Sequence, residues 1–433
     1  MKLNQRIPEL LHERAFRRYW TGQTISLFGD QISSIVLPLV AVLALHASPG
    51  EMGALVALVW LPNLLFGLHA GAWVDRRGHR RATMIVADLS RAALLTSIPV
   101  AYVAGVLTLW QLYGVAFLVG SFSVLFTVSN PTLLVTLMPE DQYLSGNTLV
   151  NGSRAISSVG GPSIGGILVQ LVSAPGAILA DAASYLGSAF FLARINPAEP
   201  PAAEKGKDSI TAGAKFIKNS PIVRSSLLAV SIVNFFNFVF LALLVLYATR
   251  YLHVRPGILG LVLGAGAIGS VLGALSTSRL ADKIGVGRAY TVGCLIFTAP
   301  LALVPAAGGP HWLVLTMLGA AEFIAGFGVM VLDISIGAIF AVVIPAELRS
   351  RVSGAFQAVN YGIRPIGALV GGVLGTYIGV RTTLWIAAAG GTIGFLLLLP
   401  SPLLSFRMPE ISDPERAVPA DVAVTVVEER SAA

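Results

Sequence analysis

The chain has 433 residues, of which 55% are hydrophobic and only 12% are charged, and its formal net charge is +7. Soluble domains contain about 25% charged residues, so this composition excludes an ordinary soluble globular protein and indicates lipid surroundings. The positive charge does not indicate nucleic-acid binding, because the basic residues lie in short turns between apolar runs rather than along one stripe. The single cysteine, Cys294, excludes an intrachain disulfide and a cysteine-based metal cluster.

The first predicted membrane span follows a polar, basic segment and covers about residues 19–45. Eleven further apolar runs follow, each long enough to cross a hydrocarbon core of about 30 Å as a helix. The sequence therefore predicts an all-α membrane protein with twelve transmembrane helices. The later runs lie near residues 52–74, 82–104, 109–137, 146–172, 176–194, 224–249, 257–280, 289–307, 312–340, 353–379 and 382–404.

The basic residues predict the orientation of these spans. Most of them lie in the N-terminal segment, in alternate turns, in the middle loop and in the C-terminal tail. Because lysine and arginine are enriched in cytoplasmic loops, both termini are predicted to be cytoplasmic, which agrees with an even number of spans. We expect a multi-pass protein of the cytoplasmic (inner) membrane.

A basic turn occurs once in each half of the chain. Residues 71–81 read GAWVDRRGHRR, and residues 282–288 read DKIGVGR, about 207 positions later. Six spans per repeat preserve the orientation, so an axis along the membrane normal should relate the halves. The predicted domains are a six-helix bundle at 1–195, a cytoplasmic linker with a short amphipathic helix at 196–221, a second six-helix bundle at 222–404 and a disordered cytoplasmic tail at 405–433.

These turns resemble the major facilitator superfamily of transporters. The pattern GxxxDRRGxRR at residues 71–81 is similar to the family's signature between its second and third helices. Residues 26–30 (SLFGD), 88–91 (DLSR), 161–166 (GPSIGG) and the turn at 345–351 are similar to the exporter branch that contains siderophore and macrolide efflux proteins. The resemblance implies the two-bundle fold of that family and transport by alternating access. Two positions depart from the antiporter signature of the fifth helix, because Thr148 and Ser157 stand where glycines are expected.

We expect the repeated basic turns to form a conformational gate. A carboxylate where the second span meets the turn can hold a helix N-terminus or an arginine in one access state and release it in the other, and a glycine nearby permits close helix approach. The alternative is a topology signal, since the arginines alone would fix the cytoplasmic side. The residues assigned to the gate are Gly71, Asp75, Arg76, Gly78, Arg80, Arg81, Asp282 and Arg288.

The glycine and proline run in the fifth span predicts a hinge. Proline removes a backbone donor and glycine lets two helices touch, so the helix can bend during exchange. The alternative is tight packing alone. The hinge residues are Gly161, Pro162, Gly165 and Gly166.

Polar residues inside the predicted spans are the candidates for proton or substrate handling. An ionisable group in lipid costs about 2.5–3.5 kcal/mol on insertion scales, so each should face a cavity or a partner. A carboxylate shielded from water binds a proton more readily, which suits Asp30 and Glu322 to proton handling; the alternative is a structural ion pair. The candidates are Asp30, Arg154, Glu322, Arg364, Asn151, Asn234 and Asn237.

Three further charged positions receive smaller roles. Asp88 and Arg91 lie three residues apart and face one side of a helix, which predicts a structural pair. Asp181, close to the outer end of the sixth span, is expected only to cap or to hydrogen-bond there. The chain contains no catalytic motif and no phosphate-binding loop, so it predicts neither an enzyme nor a cofactor or metal site.

The sequence thus predicts a secondary active transporter that exports a hydrophobic or amphipathic small molecule of drug, macrolide or siderophore type by proton antiport. Its expected partners are that small molecule, protons and the lipid bilayer, without nucleic acid, and the expected state is a monomer. The proton gradient supplies energy, since its electrical part is worth about 2.3 kcal/mol per charge per 100 mV. Two alternatives stay open: uptake or proton-independent facilitation by the same fold, and a membrane sensor or scaffold that does not transport.

Overall fold

A computed structural model describes residues 9–197 and 210–408, and every regular element in those ranges is a helix. The first half contains α1 (Arg14–Leu39), α2 (Pro49–Arg77), α3 (Arg80–Val103), α4 (Leu109–Val135), α5 (Tyr143–Leu171) and α6 (Ala174–Ala193). The second half contains α7 (Ile210–Asn219), α8 (Pro221–Leu246), α9 (Pro256–Ile284), α10 (Val286–Thr298), α11 (Leu303–Ala306), α12 (His311–Val343), α13 (Arg349–Tyr377) and α14 (Val380–Leu396).

Nine helical segments in the described ranges are long and apolar enough to cross a membrane. They correspond to the first four, the sixth and the seventh to tenth predicted spans. The fifth, eleventh and twelfth predicted spans form α5, α13 and α14. Helices α5 and α13 have 29 residues each, so they are long enough to cross a membrane, and it is their polar residues that distinguish them from the nine apolar segments. Helix α14 differs from those segments in length, because it has only 17 residues. A count of twelve spans stays a prediction.

Local sequence signals fix both ends of α2. At its start, the Ser48 hydroxyl accepts a hydrogen bond from the Glu51 N–H, and the Glu51 carboxylate accepts one at 2.7 Å from the Ser48 N–H. This reciprocal capping satisfies two backbone donors at the helix N-terminus. At its end, Gly78 adopts a φ of 68° and donates its N–H to the Val74 carbonyl at 3.1 Å, a left-handed conformation that glycine reaches without steric cost.

Helices pack mainly within each half of the chain. In the first half, α1 packs against α5 and α6, and α3 against α4 and α6; in the second, α8 packs against α13 and α14, and α12 against α9 and α10. The predicted amphipathic helix forms as α7, and Ile217 on it is buried near α13. The rest of the predicted linker, residues 198–209, and residues 409–433 of the predicted tail lie outside the described residues.

The two halves meet at the end of the bundle remote from the basic turns, here termed the closed end. There α2 crosses α13, and a methyl group added at Gly53 would lie 2.7 Å from the Gly372 Cα. Likewise α5 crosses α9, and a methyl group at Gly166 would lie 3.1 Å from the Gly260 Cα. Small residues permit such backbone contact, which favours helix association in lipid. The largest buried apolar cluster also lies at this end.

The opposite end, which carries residues 76–81 and 282–288, is termed the basic end. Methyl groups added there at Gly71, Gly152 or Gly354 would meet no atom of a described residue within 4 Å, whereas one at Gly287 would collide with the Leu403 carbonyl oxygen of the same half. The close glycine contacts between the two halves therefore lie at the closed end, and the three open glycines on α2, α5 and α13 lie toward the basic end.

Candidate functional site

Charged side chains of α1 and α3 meet in the first half of the molecule. Asp88 and Arg91 are both buried and form a direct hydrogen-bonded ion pair, as the spacing predicted. Nη1 of Arg91 lies 3.9 Å from Oδ1 of Asp30. The predicted pair and the predicted proton-handling residue thus belong to one cluster.

Helix α6 adds a third carboxylate to this cluster. Asp181 is fully buried and accepts hydrogen bonds from the Ser33 hydroxyl and, at 3.0 Å, from the Ser184 hydroxyl. Asp181 hydrogen-bonds, as the sequence analysis expected, but it lies about two turns inside α6, which starts at Ala174. The expectation did not include its position beside the other charged residues. We term Asp30, Asp88, Arg91 and Asp181 the acidic cluster.

Aromatic rings enclose the one cation of the acidic cluster. The guanidinium carbon of Arg91 lies 4.0 Å from the Tyr185 ring centroid and 4.6 Å from that of Phe126. Such contacts stabilise a cation away from water. The Asp30 side chain is 39% exposed, whereas that of Arg91 is 3% exposed, and Asp88 and Asp181 are fully buried, so Asp30 is the partly exposed member of the cluster.

A second polar site lies in the other half, where α8, α12 and α13 surround a cavity of about 270 Å³. It brings together three predicted residues, Asn234, Asn237 and Arg364. It also contains Asp333 and Asn360, to which the sequence analysis assigned no role. We term this the polar cavity. Amides, a carboxylate and a guanidinium can together bind a polar group of a small molecule.

Arg364 is held in the polar cavity by three aromatic rings. Its guanidinium carbon lies 4.4 Å from the Trp60 ring centroid, 4.5 Å from that of Tyr361 and 5.3 Å from that of Phe238. Trp60 belongs to α2, so the arginine links the two halves of the chain. Its Nε is buried and has no hydrogen-bond partner among the described residues.

The remaining candidates lie elsewhere. Asn151 and Arg154 are exposed on α5 and do not line the polar cavity. Glu322 on α12 faces α9, where its carboxylate would lie 3.4 Å from a methyl group at Gly266. In the described ranges Glu322 has neither an ion pair nor a side-chain hydrogen bond. No group of three His, Cys, Asp or Glu side chains that could hold a metal occurs within those ranges.

The first basic turn is tied to α6. Arg81 donates hydrogen bonds to the backbone carbonyls of Leu192 at 2.9 Å and Ala193 at 2.7 Å, at the end of that helix. Arg80 is buried, and Arg76 is exposed. The side chain of Asp75 lies outside the part of the chain that the structure describes. No atom of a described residue comes within 4 Å of a methyl group added at Gly71, so the expected close helix approach at this glycine stays a prediction.

The second basic turn has different contacts. Asp282 and Arg288 are exposed, and neither forms an ion pair or a side-chain hydrogen bond with a described residue. The backbone of Gly287 instead donates a hydrogen bond at 3.2 Å to the Phe406 carbonyl. The two basic turns are therefore similar in sequence but differ in the contacts that they make.

The predicted hinge residues are contact points along an uninterrupted α5. Gly161 and Gly165 face α1, where added methyl groups would collide with Gln31 and approach Ile35. Gly166 and the Pro162 carbonyl face α9 near Gly260. These contacts agree with tight packing, and bending at this point stays a prediction.

The family of the chain follows from comparison with known proteins. Residues 19–364 and 226–423 match the Major Facilitator Superfamily in two overlapping segments. The chain belongs to the Major Facilitator Superfamily. Proteins of this superfamily are transporters and not enzymes. The match and the nine long apolar helices found in the described part of the chain together establish a multi-pass membrane transporter.

Two bacterial relatives share most of the length of this superfamily member. The MFS-type transporter YfiS of Bacillus subtilis strain 168 is 28% identical over 390 residues, which cover 86% of this chain and 89% of that protein. The multidrug efflux pump Tap of Mycobacterium tuberculosis strain H37Rv is 27% identical over 418 residues, which cover 91% of this chain and 93% of that protein. The predicted resemblance to the drug-exporter branch is confirmed.

Solved transporter structures share the superfamily fold with this chain. A bacterial homologue of the iron transporter ferroportin in an inward-facing state matches with a TM-score of 0.74 and 15% identity, covering 91% of this chain and 99% of that chain. The nucleoside transporter NupG matches with a TM-score of 0.71 and 11% identity, covering 91% of this chain and all of that chain. At these identities the likeness concerns the fold alone.

Proposed function

We propose that this protein is a secondary active transporter that exports a hydrophobic or amphipathic small molecule, of drug, macrolide or siderophore type, in exchange for protons. The proposed setting is the cytoplasmic (inner) membrane, with twelve spans in two six-helix bundles and both termini in the cytoplasm. Similarity to a multidrug efflux pump over 91% of the chain supports export, and the basic turns support the orientation.

The acidic cluster is the observation that carries the proton-exchange part of the proposal. The cluster holds three carboxylates and one guanidinium: Arg91 pairs with Asp30 and Asp88, and Asp181 is hydrogen-bonded to Ser33 and Ser184 beside them. With all four groups ionised the cluster would have a net charge of −2. Uncompensated charge is costly in a low-dielectric interior, and neighbouring carboxylates repel one another. Binding of protons relieves both costs, so the cluster is suited to load and release them.

Asp30 is the residue through which we propose that the acidic cluster exchanges protons with its surroundings. It is the partly exposed member of the cluster, and it contacts both Arg91 and Tyr185. Asp88 and Asp181 are fully buried, so a proton would reach them through Asp30. Glu322 is a second candidate for proton handling, since it lies in a membrane helix without an ionic partner among the described residues.

The contrast between the two ends supports alternating access. If the basic end is cytoplasmic, the closed end faces outward and the described conformation opens to the cytoplasm. Export then requires the α2–α13 and α5–α9 contacts to separate while the basic end closes. The gate and hinge residues of the sequence analysis are the proposed elements of that movement, and the polar cavity is the proposed substrate site.

The proposal is tested with inside-out membrane vesicles that hold a proton gradient and a pH-sensitive dye. Cationic dyes, macrolides, tetracyclines and siderophores are added in turn, and proton efflux that depends on the protein is recorded. We expect efflux with at least one compound class, and loss of that efflux in Asp30→Asn. Glu322→Gln tests the second carboxylate in the same way.

Each other outcome contradicts a different part of the proposal. Labelled compound that crosses the membrane without proton movement would indicate a facilitator and would overturn proton exchange. Accumulation in right-side-out vesicles only would indicate uptake. An absence of both proton and compound movement across the whole panel would favour a sensor or scaffold.

A further inference from the structure

The polar cavity contains two opposite charges that do not neutralise each other by contact. Arg364 and Asp333 both line it. Among the described residues, no carboxylate lies within 4.0 Å of the Arg364 guanidinium nitrogens. The cavity between them therefore offers a positive and a negative group to a bound molecule at the same time.

The surroundings of Arg364 prepare it to bind an anionic group. The rings of Trp60, Tyr361 and Phe238 stabilise its positive charge through their faces. Rings supply no hydrogen-bond acceptor in the guanidinium plane, and Arg364 makes no hydrogen bond to a described residue. A carboxylate in the cavity can accept two parallel hydrogen bonds from a guanidinium.

A second side chain of the cavity suits a cation. Asp333 lines the cavity and supplies a carboxylate, which accepts hydrogen bonds from an ammonium group. A purely cationic ligand would leave the positive charge of Arg364 uncompensated. A purely anionic ligand would leave the negative charge of Asp333 uncompensated. Each case leaves a charge unbalanced within the membrane, which is unfavourable.

We propose that the polar cavity selects a zwitterionic small molecule, with its anionic group on Arg364 and its ammonium group on Asp333. This inference rests on the proposed function in treating the bound molecule as the transported substrate. The volume of about 270 Å³ lies just below the range of about 300–1,000 Å³ typical of ligand pockets. It fits the charged part of an amphipathic molecule, whose apolar part can contact neighbouring side chains such as Val329 and Leu332.

The test uses one chemical scaffold in four charge states. Norfloxacin is the zwitterion, its methyl ester the cation, its N-acetyl derivative the anion and its N-acetyl methyl ester the neutral form. Binding of each to the purified full-length protein in detergent is measured by calorimetry. We expect the zwitterion to bind at least about tenfold more tightly than the other three, because truncating a buried charge pair has an effect of at least this size.

Two substitutions should change the preference in opposite directions. Arg364→Gln should weaken binding of the zwitterion and the anion by at least about tenfold and leave the cation unaffected. Asp333→Asn should weaken the zwitterion and the cation and leave the anion unaffected. Retained binding of one probe shows that each variant is folded. Arg14→Gln and Glu140→Gln, which alter exposed charges outside the cavity, should bind all four forms as the unaltered protein does.

Equal binding of the four forms by the unaltered protein would overturn the inference. The inference would also be overturned if both cavity variants lost binding of all four forms equally while the control variants bound them normally. Failure of the proposed function is distinguishable from this result. Proton-coupled export without a charge preference would retain the function and refute zwitterion selection, whereas a zwitterion preference without transport would retain the site and refute the function.

Discussion

The Tyr185 hydroxyl in α6 donates a hydrogen bond to Oδ1 of Asp30 in α1, with the two oxygen atoms 2.5 Å apart. The ring of the same tyrosine lies 4.0 Å from the Arg91 guanidinium carbon. Tyr185 therefore contacts both the partly exposed carboxylate of the acidic cluster and its only arginine. It fixes the position of the residue through which we propose that protons enter.

Tyr185→Phe separates these two contacts. The variant keeps the ring over Arg91 but removes the donor to Asp30. A hydrogen bond to a charged group contributes about 1.5–3 kcal/mol, so we predict a lower thermal unfolding midpoint and slower substrate-driven proton efflux from vesicles. Tyr185→Leu also removes the ring and should lower the midpoint further. Equal midpoints for Tyr185→Phe and the unaltered protein would contradict this role.

The buried pair of Asp88 and Arg91 allows a double-mutant cycle. Removing one partner of a buried pair costs about 3–5 kcal/mol, because the other charge is left uncompensated. We predict that Arg91→Gln destabilises the protein by about this amount, and that Arg91→Gln combined with Asp88→Asn is less destabilised than Arg91→Gln alone. Unfolding in detergent, followed by tryptophan fluorescence, measures the difference. Additive effects of the two substitutions would show that the residues are not coupled.

Gly53 supports the contact between α2 and α13 at the closed end. An alanine methyl group there would lie 2.6 Å from the Ala368 carbonyl oxygen, so the backbones must move apart. Overpacking costs about 1–3 kcal/mol. We predict that Gly53→Ala lengthens the distance between spin labels attached at Glu51→Cys and Thr376→Cys, in a background without Cys294.

Gly67 provides the matched control for this experiment. It lies in the same helix, and an added methyl group would meet no atom of the described residues within 4 Å. Gly67→Ala should leave the distance between the two labels unchanged. If both alanine variants shift the distance alike, the effect arises from helix α2 itself and not from its contact with α13.

The two basic turns should differ in their contribution to stability. Arg81 bonds two carbonyls at the end of α6, whereas Arg288 has no side-chain hydrogen bond to a described residue. We predict that Arg81→Gln lowers stability by about 1 kcal/mol and that Arg288→Gln has a smaller effect. Thermal unfolding of both variants checks this. A larger loss for Arg288→Gln would contradict the assignment of the stabilising contact to the first turn.

The helices could be predicted from sequence because apolar length and turn signals are local properties. The predicted span at residues 82–104 and α3 at Arg80–Val103 differ by at most two positions, and the predicted helix in the linker forms as α7. The charged residues inside the membrane spans could also be identified from sequence. The residues that they contact could not be predicted, because those contacts depend on how helices distant in sequence pack together.

The acidic cluster and the polar cavity show this limit. Asp181 and Ser33 are 148 positions apart, so no spacing rule connects them. Asp88 and Arg91 could be paired because three positions bring side chains together on one helix. In the polar cavity, Trp60 of the first half contacts Arg364 of the second, and only the packing of the two halves determines such a contact.

Exchange of substrate against a proton gradient tests the central claim most directly. The protein is reconstituted into liposomes, and accumulation of a labelled substrate is measured twice: with a proton gradient, and by counterflow of unlabelled substrate without a gradient. We predict that Asp30→Asn abolishes gradient-driven accumulation and retains counterflow, because the substitution removes the proton carrier and leaves the polar cavity intact. Gradient-driven accumulation by Asp30→Asn at the rate of the unaltered protein would contradict proton exchange through the acidic cluster.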